Sequence, residues 1–298
     1  MPQAQANGIT IAYDSIGPDT GEPLLLISGL GVQMTRWAMP FCEALAARGF
    51  RVIRFDNRDA GLSTRLTASP VPDIGALSAA AARGEGFAVP YTLLDMAADA
   101  IGLLDALAID RAHLVGRSMG GMIAQLMAGM HPHRTRSLVP IMSSTNNPTL
   151  PPADPAMMAL LTRRAPDPLD DEAAYIDHGL ALARLIGSPG YPFDEAAWRR
   201  QLLAELRRAH APAGFNRQIA AIVATGSLRP HLPQVAVPTC VIHGAEDRLI
   251  PVTGGRDIAA MIPGADLLVI KGMGHDMPTA LHDCIIGAID RTARRHHQ

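Results

Sequence analysis

The stretch Ala112-His113-Leu114-Val115-Gly116-Arg117-Ser118-Met119-Gly120-Gly121 decides the fold. Its first half, AHLVGR, is a short apolar run of the kind that forms a buried strand. Its second half opens MGGMIAQLMAGM (Met119–Met130), a pattern with helical spacing. Between them stands Gly116-x-Ser118-x-Gly120, a G-x-S-x-G sequence at a strand-to-helix junction. The requirement at such a junction is steric. A serine on so sharp a turn has strained dihedrals, so its near neighbours must lack side chains. The turn lifts the hydroxyl above the sheet end, at a helix N-terminus whose dipole favours developing negative charge. Ser118 is therefore the candidate nucleophile.

Similar apolar runs lie on either side: LLLISG (Leu24–Gly29), RVIRFD (Arg51–Asp56), SLVPIMS (Ser137–Ser143), TCVIHG (Thr239–Gly244) and DLLVIKG (Asp266–Gly272). Helical patterns alternate with them over Trp37–Arg48, Leu93–Leu107, Asp257–Met261 and Leu281–Arg291. That alternation predicts an α/β fold with a mostly parallel sheet. Ile9–Ser15 alternates apolar and polar residues, and with GPDTGEP and LLLISG it reads as an antiparallel hairpin feeding the sheet. From about Thr145 to Pro230 no strand pattern occurs. Four helical patterns fill the gap, near Pro155–Arg163, Leu169–Leu185, Asp194–Ala209 and Gly214–Thr225. The expected organisation is a core of residues 1–144 and 231–298 with a helical cap, 145–230, inserted in it. An Ala- and Gly-rich stretch, Leu66–Pro90, is a second candidate cover for the cleft. The terminal His296–His297 pair reads as a frayed tail.

Composition narrows the function. The chain has 298 residues, 48% of them apolar and 18% charged, with a net charge of −2. That is enough apolar material for a large core, too ordered a composition for a disordered chain, and too little positive charge for a nucleic-acid binder working by bulk electrostatics. No apolar run is long enough to span a bilayer, and MPQAQANGIT has neither a basic nor an apolar leader region, so a cytoplasmic setting is expected. Cys42, Cys240 and Cys284 are odd in number and far apart, and read as small buried hydrophobes rather than a disulfide set. No metal-ligand spacing is present, so neither metal nor cofactor is expected.

A serine nucleophile needs a base, and the base an orienting acid. In chain order both should follow the serine, acid first. Asp247, in GAEDRLIP, stands just after one strand run, and His275, in GMGHDMP, just after the next. Both fall at carboxyl ends of strands, where open α/β sheets bind ligands. Glu246 and Asp276 compete for the acid role. Asp247 is preferred because Asp276 adjoins His275, and neighbouring side chains diverge. His243 reads as a strand residue near the site. Two backbone N–H groups must hold an oxyanion. Met119, after the nucleophile, is one; Leu30, in Ser28-Gly29-Leu30-Gly31, is the other. In DNRDAGLS (Asp56–Ser63), Arg58 and Asp59 are expected to pair with each other or with strand ends and to fix loop geometry.

With these residues in place the chain resembles the α/β-hydrolase-fold serine esterases, in particular the bacterial carboxylesterases related to anthracycline (aclacinomycin) methylesterases. The resemblance rests on DNRDAGLS, YTLLDMAADAIGLLDAL (Tyr91–Leu107), GRSMGGMIAQLMA (Gly116–Ala128), HPHRTRSLVPIMSS (His131–Ser144), PTCVIHGAEDRLIP (Pro238–Pro251) and IPGADLLVIKGMGHDMP (Ile262–Pro278). It implies a triad of Ser118, Asp247 and His275. One departure is Ser28-Gly29 where many relatives have His-Gly; the backbone donor survives the change.

The expected activity is hydrolysis of a small-molecule carboxylic ester through an acyl-enzyme. Other serine-triad chemistries on this fold are the alternatives: lactone, peptide or carbon–carbon hydrolysis and perhydrolysis. A non-enzymatic ligand receptor is the alternative of another class. An aminopeptidase would need an acidic anchor for a free amine. Asp167, Asp170, Asp171 and Glu172 read instead as a solvated helix start. Gly29, Met157, Leu161, Tyr191 and Phe193 are the expected substrate-binding residues, with Leu160, Leu182 and Phe215 as further cap candidates. A homodimer is the one assembly to consider.

Overall fold

A computed structural model describes residues 1–295, which leaves the His296–His297 pair outside the described residues. The chain opens with β1 (Gln3–Ala6), β2 (Ile9–Ile16), β3 (Glu22–Ile27), α1 (Met39–Ala46) and β4 (Phe50–Phe55). It continues through α2 (Ile74–Ala82), α3 (Leu93–Ala106), β5 (Ala112–Arg117), α4 (Met119–Met130) and β6 (Thr135–Ile141). Four helices follow without a strand: α5 (Pro155–Leu161), α6 (Glu172–Ile186), α7 (Glu195–Arg208) and α8 (Pro212–Thr225). The chain then returns through β7 (Cys240–Gly244), α9 (Thr253–Met261), β8 (Asp266–Ile270) and α10 (His282–Arg294).

The strands form one sheet in the order β1-β2-β4-β3-β5-β6-β7-β8, parallel from β4 to β8. Side-chain alternation along β3 explains why both faces are covered. Leu24 and Leu26 join Phe41 and Leu45 of α1 and Ile285 and Ile289 of α10. Leu25 and Ile27 join Leu103 of α3 and Ile123 and Leu126 of α4. All eleven are at most 1% exposed, and each contributes about 1.5–3 kcal/mol of burial. No helix among the described residues is long and apolar enough to cross a membrane.

The expected hairpin of β2 with β3 does not form. β4 lies between them, antiparallel to β2 and parallel to β3. The hairpin partner of β2 is β1, joined through Asn7 and Gly8, both at positive φ (49° and 77°) as a two-residue hairpin turn requires. Cys42 and Cys240 are buried, but Cys284 is exposed on the outer side of α10, so the reading of all three as buried is corrected.

Arg58 and Asp59 do not pair with each other. Arg58 lies 2.6 Å from Asp99 of α3, and Asp59 lies 2.7 Å from Arg217 of α8. The backbone turns between the two residues, with Asp59 at φ 65°, so their side chains leave in different directions. Two further ion pairs fasten the strand-free segment to the core: Asp56 with Arg208 at 2.7 Å and Arg36 with Glu205 at 2.5 Å. Burial alone would raise the Asp59 carboxyl. Hydrogen bonds from Arg217, the Leu66 amide and Tyr91 outweigh it and hold the group below the ordinary carboxylate range.

Removing Arg217 strands a buried carboxylate. Arg217→Met should destabilise the fold by about 3–5 kcal/mol at neutral pH, and Asp59→Leu in the same chain should recover much of that. A depressed carboxyl contributes stability above its unfolded pKa and loses it as pH falls through its folded value. The gap between wild type and Arg217→Met in urea unfolding should therefore shrink in acid; a gap independent of pH would contradict the pairing.

Candidate active site

Ser118 caps α4 at φ 54°, ψ −124°, a region that side chains seldom occupy and that costs of order 1–3 kcal/mol. The glycines around it make the turn possible. A Cβ on Gly116 would stand 2.1 Å from the Gly120 carbonyl oxygen, and one on Gly120 would stand 2.1 Å from that of Ile27. The turn is pinned by Ser118 N donating to Ile141 O (2.9 Å) and Ser143 Oγ donating to Ser118 O (2.8 Å).

The three expected side chains come together. His275 Nε2 lies 3.0 Å from Ser118 Oγ, and Nδ1 lies 2.7 Å from Asp247 Oδ2. Asp247 follows β7 and accepts the Leu249 and Ile250 amides on Oδ1, at 2.9 and 2.8 Å. A carboxylate only accepts, so the imidazole proton sits on Nδ1 and leaves Nε2 free to accept from the serine. His275 and Asp247 are buried, whereas Ser118 retains partial exposure.

The competing groups lie elsewhere. Glu246 accepts the Gly272 amide at 2.6 Å. Asp276 turns away from the imidazole toward Ser188. Burial pushes its carboxyl up, against the pull of Ser188 and Arg117. Arg117 itself is drawn down to about 10 by burial and by Arg36. His243 Nε2 donates to Ile250 O at 2.8 Å, and burial pushes the pKa of that ring down, against the pull of Ile250 and Asp247.

The loop after β3 passes directly over the serine. A Cβ on Gly29 would stand 3.2 Å from Ser118 Cβ. Leu30 follows on this loop, and Met119 is the first residue of α4, where an N–H has no partner within the helix. The loop is held by residues that local sequence patterns do not reveal. Asn57 Nδ2 donates to Ser28 O (2.9 Å), and Gly31 N donates to Gln218 Oε1 of α8 (2.7 Å). Phe215 packs on Gly31, where a Cβ would come within 2.6 Å of its ring. The Ser28 hydroxyl is buried without a hydrogen-bond partner among the described residues.

Of the remaining expected substrate-binding residues, Tyr191 and Phe193 line a cavity of about 700 Å³ that also reaches Ser188, Asp247 and Asp276. Met157 and Leu161 lie on α5, outside that lining; Met157 is fully buried and Leu161 half-buried. The α5 helix is tied to the acid loop by Asp154 N donating to Arg248 O at 3.0 Å. Asp171, weighed above as an amine anchor, caps α6 by accepting the Ala174 amide at 2.8 Å.

A protein-family model described as "alpha/beta hydrolase fold" matches residues 22–177. Rhodomycin D methylesterase DauP of Streptomyces sp. (strain C5) is 29% identical, over 94% of each chain. Rhodomycin D methylesterase DnrP of Streptomyces peucetius is 28% identical, again over 94% of each. Among solved structures, the meta-cleavage product hydrolase CumD of Pseudomonas fluorescens IP01 superposes with a TM-score of 0.77 at 20% identity, covering 99% of this chain and 98% of its own. At that identity the likeness is one of fold.

Proposed function

The chain belongs to the α/β-hydrolase family, and on that premise we propose that it is a serine esterase that cleaves small-molecule carboxylic esters through an acyl-enzyme. The single observation carrying this reading is the hydrogen-bonded chain Ser118–His275–Asp247, at 3.0 and 2.7 Å, beneath a strained serine. His275 Nε2 takes the Ser118 proton as Oγ attacks the acyl carbon. The Leu30 and Met119 N–H groups hold the oxyanion, and Asp247 stabilises the imidazolium. His275 then gives its proton to the departing alkoxide. Water, deprotonated by the same nitrogen, releases the acid and restores the serine.

The two methylesterase relatives support an ester of a small alcohol as the substrate class. Residues 145–230 act as the cap over the site, the protein works in the cytoplasm, and no metal or cofactor takes part. The test is a panel of p-nitrophenyl esters of increasing acyl length, with a fluorophosphonate as inhibitor. Hydrolysis that stops as one fluorophosphonate is incorporated supports the reading; a folded protein neither hydrolysing nor labelled overturns it. EDTA should leave the rate unchanged, since a histidine-activated serine generates its own nucleophile.

A further inference from the structure

The loop carrying His275 is held by the segment that leaves α6. His275 N donates to Ile186 O (2.7 Å), and Gly190 N donates to Gly272 O (2.9 Å). Gly274 N donates to Ser188 Oγ (2.9 Å), and the Ser188 hydroxyl in turn donates to Asp276 Oδ1. The two backbones touch: a Cβ on Gly274 would stand 2.4 Å from Gly187 O, and one on Gly190 would stand 2.5 Å from Gly272 Cα. Three successive residues, Gly274, His275 and Asp276, are thus fastened to the α6–α7 connection.

The hydroxyl of Ser188 sits at the centre of this arrangement. It has one proton and two lone pairs. The proton goes to Asp276, whose carboxylate can only accept, and a lone pair takes the Gly274 amide. Both residues are only 8% exposed, although both border the cavity lined by Tyr191 and Phe193. The relay Gly274 N–H to Ser188 O–H to Asp276 spans the residues on both sides of His275 in the chain.

We propose that Ser188 and Asp276 are positioning residues that set the His275 imidazole from the α6–α7 connection, so that the placement of this segment enters the chemical step. The inference rests on the triad reading above. It gives Asp276, a buried carboxylate that makes no bond to the imidazole, a role in the reaction. Misplacing a reacting group by about 1 Å can cost on the order of 100-fold in rate, so a slackened His275 loop should appear in chemistry rather than in binding.

The experiment measures fluorophosphonate labelling of Ser118, ester kcat and KM, and the low-field proton resonance of the His275–Asp247 hydrogen bond. The proteins are wild type, Ser188→Ala, Asp276→Ala and the double variant. Expected for each single variant are labelling and kcat lowered about 10- to 100-fold, KM within about twofold, and a shifted or broadened resonance. The double variant should lose little more than either single one, because both remove the same relay. Single variants that label within twofold of wild type with an unmoved resonance would overturn the inference, as would losses that simply multiply. Should Ser188→Ala not fold, Asp276→Ala carries the same test. A wild-type protein that does not label at Ser118 would instead sink the triad reading, so the two failures are distinguishable.

Discussion

Ser118→Ala should leave a folded protein whose ester hydrolysis falls by roughly a millionfold, as when a triad serine is removed from other hydrolases. The hydroxyl is the one proposed nucleophile. Its removal leaves His275 Nε2 without the group it sits 3.0 Å from. Stability should not suffer, because alanine presents the same Cβ to Gly29 and the same backbone to Ile141 and Ser143. Ser118→Gly should be equally inactive and more stable by about 1–3 kcal/mol, since glycine relieves the strain at φ 54°. Steady-state turnover and urea unfolding of the two variants check both halves. More than a per cent or so of residual turnover would reject Ser118 as the nucleophile.

Asp247→Asn should cost about 10⁴ in kcat, while Asp276→Asn costs far less. The reason is the direction of the hydrogen bonds. In wild type, Oδ1 of Asp247 accepts the Leu249 and Ile250 amides, so an asparagine there must keep its oxygen on that side. Its NH2 then faces His275 Nδ1 and donates to it. The imidazole proton is driven to Nε2, where it opposes the serine hydroxyl instead of accepting from it. Asp276 makes no such bond to the ring, and its loss acts only through the loop. An inactive Asp276→Asn beside an active Asp247→Asn would force the site to be rebuilt around a different acid.

The parts of this site that could be read from sequence are those set by local chemistry. The glycines flanking Ser118 are demanded by a turn in which Ser118 alone separates β5 from α4. Asp247 and His275 each follow an apolar strand run, and a parallel sheet brings such ends to one edge whatever lies between. Helices α5 to α8 were legible for the same reason, since their periodicity is local. What local patterns do not carry is pairing over distance. β4 inserts between β2 and β3 through a crossover that neither strand encodes. β1, with the sequence QAQA, has too little apolar character to signal a strand, although its Asn7-Gly8 turn is a hairpin cue.

The docking of the strand-free segment was hidden for a further reason. It depends on single charged or polar contacts between residues far apart, such as Arg217 with Asp59, 158 positions away. Arg58 and Asp59 are neighbours of opposite charge, which favours a local pairing when the rest of the fold is not in view. Gln218 and Asn57, which hold the loop bearing Leu30, belong to no motif. Their role arises only where α8 and the loop after β4 meet that loop. The β6–β7 connection as a whole was recognisable from proline-rich ends and absent strands, but its seating on the core was not.

The most direct measurement is mass spectrometry of the protein acid-quenched during the first turnover of a p-nitrophenyl ester. The account predicts a burst of nitrophenol matched by one acyl group per chain, carried on the peptide containing Ser118 and absent from Ser118→Ala. Turnover without an acyl group on that serine, or with the acyl group on another residue, would contradict it.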